Sequence, residues 1–310
     1  MICLEDIQTA QDRISDAALH TPLEGQRTFS RMTDADIHLK FENTQRGGSF
    51  KIRGATNRIR TLTSEEQESG VVTASTGNHA QGVALGAQQS DVDAKIVMPE
   101  SAPISKLNAT RSYGAEVLLY GDDYTDAQEK AHEIEEETGR TYVHAYEDAP
   151  VVAGQGPIGV GGLVDAPDLD TVVVPIGGGG LISGISTAIK EQRPDTRIVG
   201  VQVEGAATVA EALEKGESVE LDSVNTIADG IATGHVGSNT LPIIEEYVDE
   251  VVTVTDSQIA SAVMLLLERA KTMVEGAGAS SIAAVLEGEF EYDPGETIVP
   301  VLSGGNIDLN

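Results

Sequence analysis

Short apolar segments alternate with helical segments along most of the chain. Several of the apolar segments are rich in Val and Ile without polar alternation, which is typical of strands buried on both faces of a parallel sheet. The strands predicted in this way are 37–42, 71–74, 94–98, 116–119, 141–143, 171–175, 197–203, 251–254 and 297–302. Helical windows between them lie at 77–89, 104–112, 125–137, 181–192, 256–270 and 279–286. The alternation predicts an α/β fold whose parallel-type sheets are flanked by helices.

Composition narrows the class of protein. The 310 residues include 20 Lys and Arg and 50 Asp and Glu, which gives a formal net charge of −30. Such a charge repels phosphate groups, so neither a nucleic acid nor an acidic membrane is an expected partner. The single cysteine, Cys3, excludes an intramolecular disulfide and a metal cluster built on cysteines. Because the sequence has no apolar run long enough to cross a bilayer and no N-terminal leader pattern, it predicts a cytoplasmic protein.

The acidic residues are spread along the whole chain and are not confined to one tail. A uniformly acidic surface keeps a protein hydrated at high salt, where screening over ~3 Å removes the self-repulsion. This composition predicts a halophilic protein, similar to those of haloarchaea.

Three polar or glycine-rich segments directly follow predicted strands. Ligands of open α/β sheets bind beyond the carboxyl ends of the strands, so a site is expected at these segments. The first segment contains Ser75, Thr76, Gly77, Asn78 and His79, the second contains Gly177, Gly178, Gly179 and Gly180, and the third runs from Ser303 to Asn306.

The four consecutive glycines at 177–180 separate a strand from a helix. Their N–H groups can approach an anion closely and a helix N-terminus attracts negative charge, so this loop is predicted to bind a phosphate. A tight turn is the alternative, but four glycines are entropically costly for a turn alone. A nucleotide-binding P-loop is excluded because no Lys-Ser/Thr pair follows, and the dinucleotide spacing fails at Ile182.

Lys51 and residues 75–79 carry the remaining candidate chemistry. Lys51, in the sequence GGSFKIRG, offers an amine, although a surface lysine is the simpler interpretation. Residues 75–79 offer N–H groups and hydroxyls for a carboxylate, with a helix cap by Ser75 as the alternative. His79 by itself is more often structural than catalytic.

Together these segments fit one cofactor, pyridoxal phosphate (PLP). The glycines would bind its phosphate, Lys51 its aldehyde as a Schiff base, and the hydroxyl of Ser303 its ring nitrogen. The chain in fact resembles the PLP enzymes of fold type II, the tryptophan synthase β type, and within them the threonine and serine dehydratases and serine racemase. The matching blocks, in family order and across essentially the whole chain, are 21–23 (TPL), 39–54 (LKFENTQRGGSFKIRG), 74–82 (ASTGNHAQG), 97–99 (VMP), 153–156 (AGQG), 177–180 (GGGG), 274–278 (VEGAG) and 302–306 (LSGGN).

The resemblance implies a role for each matching residue. Lys51 would bind PLP and later remove the Cα proton of the substrate. Phe50 would pack beside the pyridine ring, Asn78 would bond the 3′-oxygen, and Glu275 would lie close to the ring. The residues surrounding the substrate carboxylate, partly through backbone N–H groups, would be Ser75, Thr76, Gly77 and His79.

The implied reaction is β-elimination of L-threonine or L-serine to a 2-oxo acid and ammonia. Unlike an aspartate, the neutral hydroxyl of Ser303 does not keep the ring nitrogen protonated, which favours rapid loss of a β-hydroxyl over transamination. Lys51 must be neutral to act as a base, so burial is expected to lower its pKa. The expected partner is therefore a small hydroxy amino acid.

Two positions depart from the family pattern. Racemases of this type carry a serine at the position of Thr76, where it returns a proton to Cα, and dehydratases usually carry alanine. The threonine methyl is stiff and takes room, so dehydration is the expected main activity and serine racemisation the alternative. Glu204 matches the first acidic ligand of the family's divalent-cation site, but Ala210 replaces the last one, for which only Glu211 in a shifted register could substitute.

The resemblance also implies two domains and a homodimer. Residues 1–69 and 147–310 would form the large PLP-binding domain, and residues 70–146 a small domain that closes on the substrate. No C-terminal regulatory domain is expected after Asn310, and hence no feedback inhibition. Two further functions stay open at this point: a threo-3-hydroxyaspartate dehydratase, and a non-catalytic protein that binds PLP or a nucleotide.

Overall fold

The computed structural model describes residues 1–166 and 168–307, whose strands form two separate sheets. The strands are β1 (Leu23–Gly25), β2 (Asp36–Lys40), β3 (Val71–Ala74), β4 (Ala94–Met98), β5 (Glu116–Leu119), β6 (Thr141–Tyr142), β7 (Thr171–Pro175), β8 (Arg197–Val203), β9 (Glu250–Val254) and β10 (Thr297–Pro300). The larger sheet has the order β1-β2-β10-β7-β8-β9, in which β1 is antiparallel to β2 and the other neighbours are parallel. The smaller sheet has the order β5-β4-β3-β6 and is parallel throughout.

Helices cover the sheets. They are α1 (Leu4–Arg13), α2 (Arg27–Thr33), α3 (Lys51–Arg60), α4 (Ser64–Ser69), α5 (Asn78–Gln89), α6 (Ile104–Ser112), α7 (Tyr124–Thr138), α8 (Ala149–Gln155), α9 (Pro157–Asp165), α10 (Gly180–Lys190), α11 (Val209–Lys215), α12 (Leu241–Tyr247), α13 (Asp256–Leu265) and α14 (Gly276–Glu287). A π-helical turn, Leu266–Ala270, continues α13. In the described part of the chain, no helix has both the length and the apolar character needed to cross a membrane.

Aliphatic residues on both faces of the larger sheet form its core. Val173 packs on the face covered by α13 and α14, where Ile259 and Ile282 are buried. Its neighbour Val172 packs on the opposite face with Ile182 of α10. Because side chains alternate along a strand, a run of valines fills both layers at once. This explains why β7 contains no polar alternation.

Helices α3 and α8 approach each other closely at two glycines. A Cβ on Gly154 would lie 2.6 Å from the Cα of Gly54. A Cβ on Gly54 would lie 2.5 Å from the carbonyl oxygen of Val151. A side chain at either position would push the helices apart, so the glycines bring the start of α3, which is Lys51, next to the segment that precedes α8.

The predicted α/β class and parallel sheets are confirmed, and the bounds of β3, β4, β5, β7 and β8 are as predicted. The predicted strand 37–42 was wrong at its end, because Glu42 begins a 3₁₀ helix in which its carboxylate pairs with the buried Arg53. The predicted helix 256–270 ends as an α-helix at Leu265 and continues as the π-turn. All strands of the smaller sheet lie within residues 71–142, whereas the domain boundaries at 70 and 146 remain a prediction.

Candidate active site

A buried ion pair anchors the helix that begins with Lys51. The carboxylate of Glu42 is fully buried and accepts hydrogen bonds from Nε and Nη2 of Arg53, both at 2.8 Å, and from Oγ1 of Thr21 at 2.5 Å. Burial alone would raise the pKa of Glu42, but Arg53 and Thr21 hold it below its usual value. Removing one partner of such a pair costs about 3–5 kcal/mol because the other charge stays buried. The pair therefore fixes the first turn of α3.

The amine of Lys51 contacts the segment between β6 and α8. Its Nζ donates a hydrogen bond to the carbonyl oxygen of Ala145 at 3.2 Å and lies 5.1 Å from the centroid of the Phe50 ring. Burial lowers the pKa of Lys51 to about 8, although the negative charge of Glu275 opposes the shift. The neutral amine, which is the nucleophilic and basic form, is therefore reached at a mildly alkaline pH.

A network of amides joins three segments around Glu275. Nδ2 of Asn78 donates to Oε1 of Glu275 at 2.5 Å, and Nδ2 of Asn306 donates to Oδ1 of Asn78 at 2.8 Å. Burial raises the pKa of Glu275 to about 7, against the hydrogen bond from Asn78 and the positive charge of Lys106. The network fixes the side chain of Asn78, the residue predicted to bond the cofactor 3′-oxygen.

The glycine loop, residues 177–180 between β7 and α10, presents free N–H groups. The N–H groups of Gly178, Gly179 and Gly180 make no hydrogen bond to another residue in the described part of the chain. Gly179 has φ +93°, a left-handed conformation that favours glycine. A Cβ on Gly178 would lie 2.4 Å from the ring of Tyr146, and one on Gly179 would lie 2.6 Å from Oγ1 of Thr240. The loop thus accepts only glycine at these positions, and its free N–H groups form a cradle for an anion.

Ser303 lies directly beside the residue that precedes Lys51. It is buried, and its carbonyl oxygen accepts the N–H of Phe50 at 3.1 Å. A Cβ on the next residue, Gly304, would lie 2.3 Å from Oε1 of Glu275. The hydroxyl of Ser303 makes no hydrogen bond within residues 1–166 and 168–307, so it is available to a ligand.

The loop of residues 75–79, between β3 and α5, borders open space. The hydroxyl of Ser75 accepts the N–H of Gly77 at 3.2 Å and closes a local turn. The hydroxyl of Thr76 has no hydrogen-bond partner among the described residues. A Cβ on Gly77 would meet no atom within 4 Å. This loop is predicted to bind the substrate carboxylate, and at Gly77 it leaves room for a ligand.

The side chain of His79 is committed to the backbone of another strand end. It is buried, and its Nε2 donates to the carbonyl oxygen of Val143 at 2.8 Å. Burial, together with the positive charge of Lys51, lowers the pKa of His79 to about 3, so the imidazole is neutral. A neutral ring offers a carboxylate no charge, and the backbone N–H in the first turn of α5 is the group of His79 suited to that contact.

Four residues that shape the site were missed by the sequence analysis: Ala145, Tyr146, Glu147 and Thr240. The first three follow the predicted strand 141–143, so the rule that ligands bind at carboxyl ends of strands was the signal that could have found them. Thr240 had no such signal. It reaches the glycine loop across 62 positions of sequence, where its Oγ1 donates to the carbonyl oxygen of Gly178 at 2.7 Å.

The predicted first cation ligand, Glu204, lies at the exposed start of the 3₁₀ turn Glu204–Ala206 after β8. Glu211, the nearest carboxylate that a shifted register would offer, pairs with Lys215 at 2.6 Å. Within the two described ranges, no three His, Cys, Asp or Glu side chains are grouped as metal ligands.

The residues present fit PLP. The chain offers a half-buried amine of lowered pKa, an N–H cradle that a Cβ would fill, and the Ser303 hydroxyl without a partner among the residues described. These are the donor types that an aldehyde, a phosphate and a pyridine nitrogen need. These groups come from separate parts of the sequence. The fold joins them because the N–H of Phe50 bonds to the carbonyl oxygen of Ser303 and the N–H of Glu275 bonds to that of Gly304.

Comparisons with known proteins agree with this fit. A family model described as pyridoxal-phosphate dependent enzyme matches residues 14–304. An L-threonine ammonia-lyase of Thermotoga maritima is 47% identical over 311 residues, covering 100% of this chain and 77% of that protein. The catabolic L-threonine dehydratase of Escherichia coli is 43% identical over 310 residues, covering 100% of this chain and 94% of that protein. The structure of maize serine racemase superposes with a TM-score of 0.95 at 35% identity, covering 99% of this chain and 94% of that one. The chain belongs to the family of pyridoxal-phosphate dependent enzymes, in the fold type II group.

Proposed function

We propose that the protein is an L-threonine/L-serine dehydratase, an ammonia-lyase that converts a hydroxy amino acid to a 2-oxo acid and ammonia. The observation that carries the proposal is the convergence of the partly desolvated Lys51 amine, the free glycine loop and the open 75–79 loop. Relatives that align with 100% of this chain at 43–47% identity, and that bear the names L-threonine ammonia-lyase and L-threonine dehydratase, support it.

The residues that would hold PLP are those of the motif blocks. Lys51 would bind the aldehyde, the glycine loop the phosphate, Asn78 the 3′-oxygen and Ser303 the ring nitrogen, while Phe50 and Glu275 would lie beside the ring. When bound, PLP supplies an electron sink for the charge that develops at the substrate Cα. The burial that lowers the pKa of Lys51 to about 8 favours the neutral amine, so Nζ can accept the Cα proton.

The substrate carboxylate is assigned to the 75–79 loop. The hydroxyl of Thr76, which has no partner among the described residues, and the N–H groups at the start of α5 would donate hydrogen bonds to the carboxylate. The positive end of the helix dipole would also attract it. Loss of the Cα proton and of the β-hydroxyl gives an unsaturated amino acid. Water then converts that product to the 2-oxo acid and ammonia.

Serine racemisation is the second candidate activity. The observation that favours it is the hydroxyl of Thr76, which has no partner among residues 1–166 and 168–307 and can donate a proton, together with the TM-score of 0.95 to maize serine racemase. The methyl group of Thr76 restricts the hydroxyl to few rotamers, which is why dehydration is the main activity proposed.

The setting of the enzyme is proposed on the composition and the family likeness. A formal net charge of −30 spread over the chain favours a halophilic protein of a salt-rich cytoplasm. The family likeness favours a homodimer in which residues 70–146 close on the substrate. Thermal unfolding in low salt and in molar KCl tests the first point: equal stability in both would contradict salt adaptation.

The experiment that tests the function is turnover of L-threonine and L-serine in high salt with PLP. The 2-oxo acid and the D-amino acid are measured in the same reaction. Oxo acid with little D-product is expected, and the ratio of the two rates identifies the preferred substrate. D-serine in comparable amount would assign the protein to the racemases, and neither product would refute both activities.

A further inference from the structure

The segment of residues 145–147, between β6 and α8, contacts three separate parts of the site. The carbonyl oxygen of Ala145 accepts the hydrogen bond from Nζ of Lys51. The ring of Tyr146 lies against Gly178 of the glycine loop. The carboxylate of Glu147 lies against the loop that precedes α12. One short segment thus connects the lysine to the glycine loop.

The carboxylate of Glu147 binds backbone N–H groups of the loop of residues 237–240. One carboxylate oxygen accepts the N–H of Ser238 at 2.5 Å, and the other accepts the N–H of Asn239 at 2.9 Å. The carbonyl oxygen of Glu147 accepts Nδ2 of Asn239 at 2.9 Å, and the Ser238 hydroxyl lies 3.5 Å from the carboxylate. A Cβ on Gly237 would lie 2.7 Å from Oε1 of Glu147, so the glycine allows the loop to approach the carboxylate. The two charge-assisted bonds fix this loop.

The same loop fixes one peptide unit of the glycine loop. The carbonyl oxygen of Gly178 accepts the N–H of Gly237 at 3.0 Å and Oγ1 of Thr240 at 2.7 Å. In a planar trans peptide the C=O of one residue and the N–H of the next point in opposite directions. Holding the Gly178 carbonyl therefore aims the N–H of Gly179, which has no partner in the described part of the chain, away from the 237–240 loop and toward the predicted phosphate.

We propose that Glu147 is a positioning residue for the glycine loop, acting through the N–H groups of Ser238 and Asn239 and through Thr240 on the carbonyl of Gly178. The inference rests on the proposed assignment of residues 177–180 to the phosphate of PLP. Both oxygens of the Glu147 carboxylate accept backbone N–H groups, so Glu147 stabilises the 237–240 loop without presenting a free carboxylate to an anion. Loss of the carboxylate frees the loop and weakens binding of the phosphate group in particular.

The test compares PLP with pyridoxal, which lacks the phosphate, as ligands of the apoprotein. Dissociation constants are measured by absorbance titration for the wild type, Glu147→Gln and Glu147→Ala. We expect Glu147→Ala to weaken PLP binding roughly 10- to 100-fold, by analogy with the loss of metal affinity when a group that orients a metal ligand is removed. Glu147→Gln, which keeps one acceptor oxygen, is expected to have a smaller effect, and pyridoxal binding is expected to stay within about twofold. The phosphorus NMR line of bound PLP is expected to broaden in both variants.

Two further variants keep the proposal falsifiable. Thr240→Val removes the hydroxyl on the Gly178 carbonyl and is expected to lower the preference for PLP over pyridoxal in the same way. Glu245→Gln removes one exposed charge from α12 and is expected to leave both constants unchanged. A wild-type preference for PLP that survives in all the Glu147 and Thr240 variants would overturn the positioning role alone. No preference in the wild type would overturn the phosphate assignment, and this inference with it.

Discussion

The glycine loop 177–180 and the 75–79 loop occupy equivalent places in the two sheets but are held very differently. Each follows a buried parallel strand, β7 or β3, and leads into a helix, α10 or α5. In the glycine loop, a Cβ on Gly178 or Gly179 would collide with Tyr146 or Thr240 within 2.6 Å. In the other loop, a Cβ on Gly77 would meet nothing within 4 Å.

The difference follows from the tasks proposed for the two loops. A cofactor that stays bound gains affinity from a site that is already ordered, because no ordering cost is incurred on binding. A substrate that enters and leaves in every cycle needs an open side. The loops therefore suggest one rigid half of the site and one half that is completed when the substrate binds.

Lys51 bonds to Ala145, whose neighbour Tyr146 packs on the glycine loop, and its removal is expected to have the largest effect. Lys51→Ala should abolish the Schiff-base absorbance band and lower 2-oxo acid formation by roughly 10²- to 10⁴-fold, the range for loss of an acid–base group. Lys130→Ala, which removes a surface lysine paired with Glu133 on α7, is the matched control and should be silent. Substantial turnover by Lys51→Ala would show that another group performs the chemistry.

The same Gly-to-Ala substitution in each loop tests the difference between the two loops directly. Gly178→Ala inserts a methyl 2.4 Å from the ring of Tyr146, and overpacking of this kind costs about 1–3 kcal/mol unless the loop moves. Movement of the loop displaces its N–H groups and should lower PLP affinity roughly tenfold or more, where each tenfold corresponds to ~1.4 kcal/mol. Gly77→Ala inserts the same methyl into open space and should leave PLP affinity within about twofold. Titration of both apoproteins with PLP measures the contrast. Equal effects would mean that the loops do not differ in rigidity.

Thr76 sharpens the description of the open half. Thr76→Ala should leave dehydration within a few-fold and eliminate D-serine formation, because the hydroxyl that can return a proton is gone. Thr76→Ser keeps the hydroxyl, removes the stiff methyl, and should raise the share of D-serine several-fold. Chiral analysis of the products from L-serine gives the ratio. If neither variant changes it, Thr76 has no part in proton transfer.

Local patterns in the sequence were sufficient for the buried strands but not for the short helices near the N-terminus. β3 and β7 were predicted at their observed bounds because a run of Val between polar neighbours has few other buried conformations. The capping box of Thr63 and Glu66 marks the start of α4 in the sequence. With only six residues, however, α4 has too little periodicity to be recognised by spacing.

The candidate site also contains residues that local sequence patterns predict and residues that they do not. Three of the motif segments could be found because each follows a strand and carries its own chemistry. In the structure, Lys51 bonds to Ala145, and Asn78 bonds to Glu275, whose N–H bonds to Gly304 next to Ser303. The residues that hold these segments in place had no local signature. Glu147, for example, binds N–H groups 91 and 92 positions further along the chain. Such pairings depend on how the layers pack, which single-sequence patterns do not contain.

The smallest expected effect concerns Glu275, whose carboxylate accepts the hydrogen bond of Asn78 in the open half of the site. Its negative charge raises the pKa of Lys51, while burial lowers that pKa to about 8. Glu275 itself has a pKa raised to about 7, so it is ionised at the pH where Lys51 titrates. Glu275→Gln removes the charge and keeps an oxygen for Nδ2 of Asn78.

Without the charge of Glu275, the ammonium form of Lys51 is less favoured and its pKa falls further. Capture of PLP by the apoprotein requires the neutral amine, so the capture rate should rise with pH around a midpoint near 8 in the wild type. In Glu275→Gln the midpoint should move to lower pH by roughly half a unit to one unit, which corresponds to ~0.7–1.4 kcal/mol of interaction. Stopped-flow absorbance across pH 6–10 resolves such a shift. A midpoint that moves to higher pH would mean that the carboxyl of Glu275 is neutral in this range and acts on Lys51 through hydrogen bonds and not through charge.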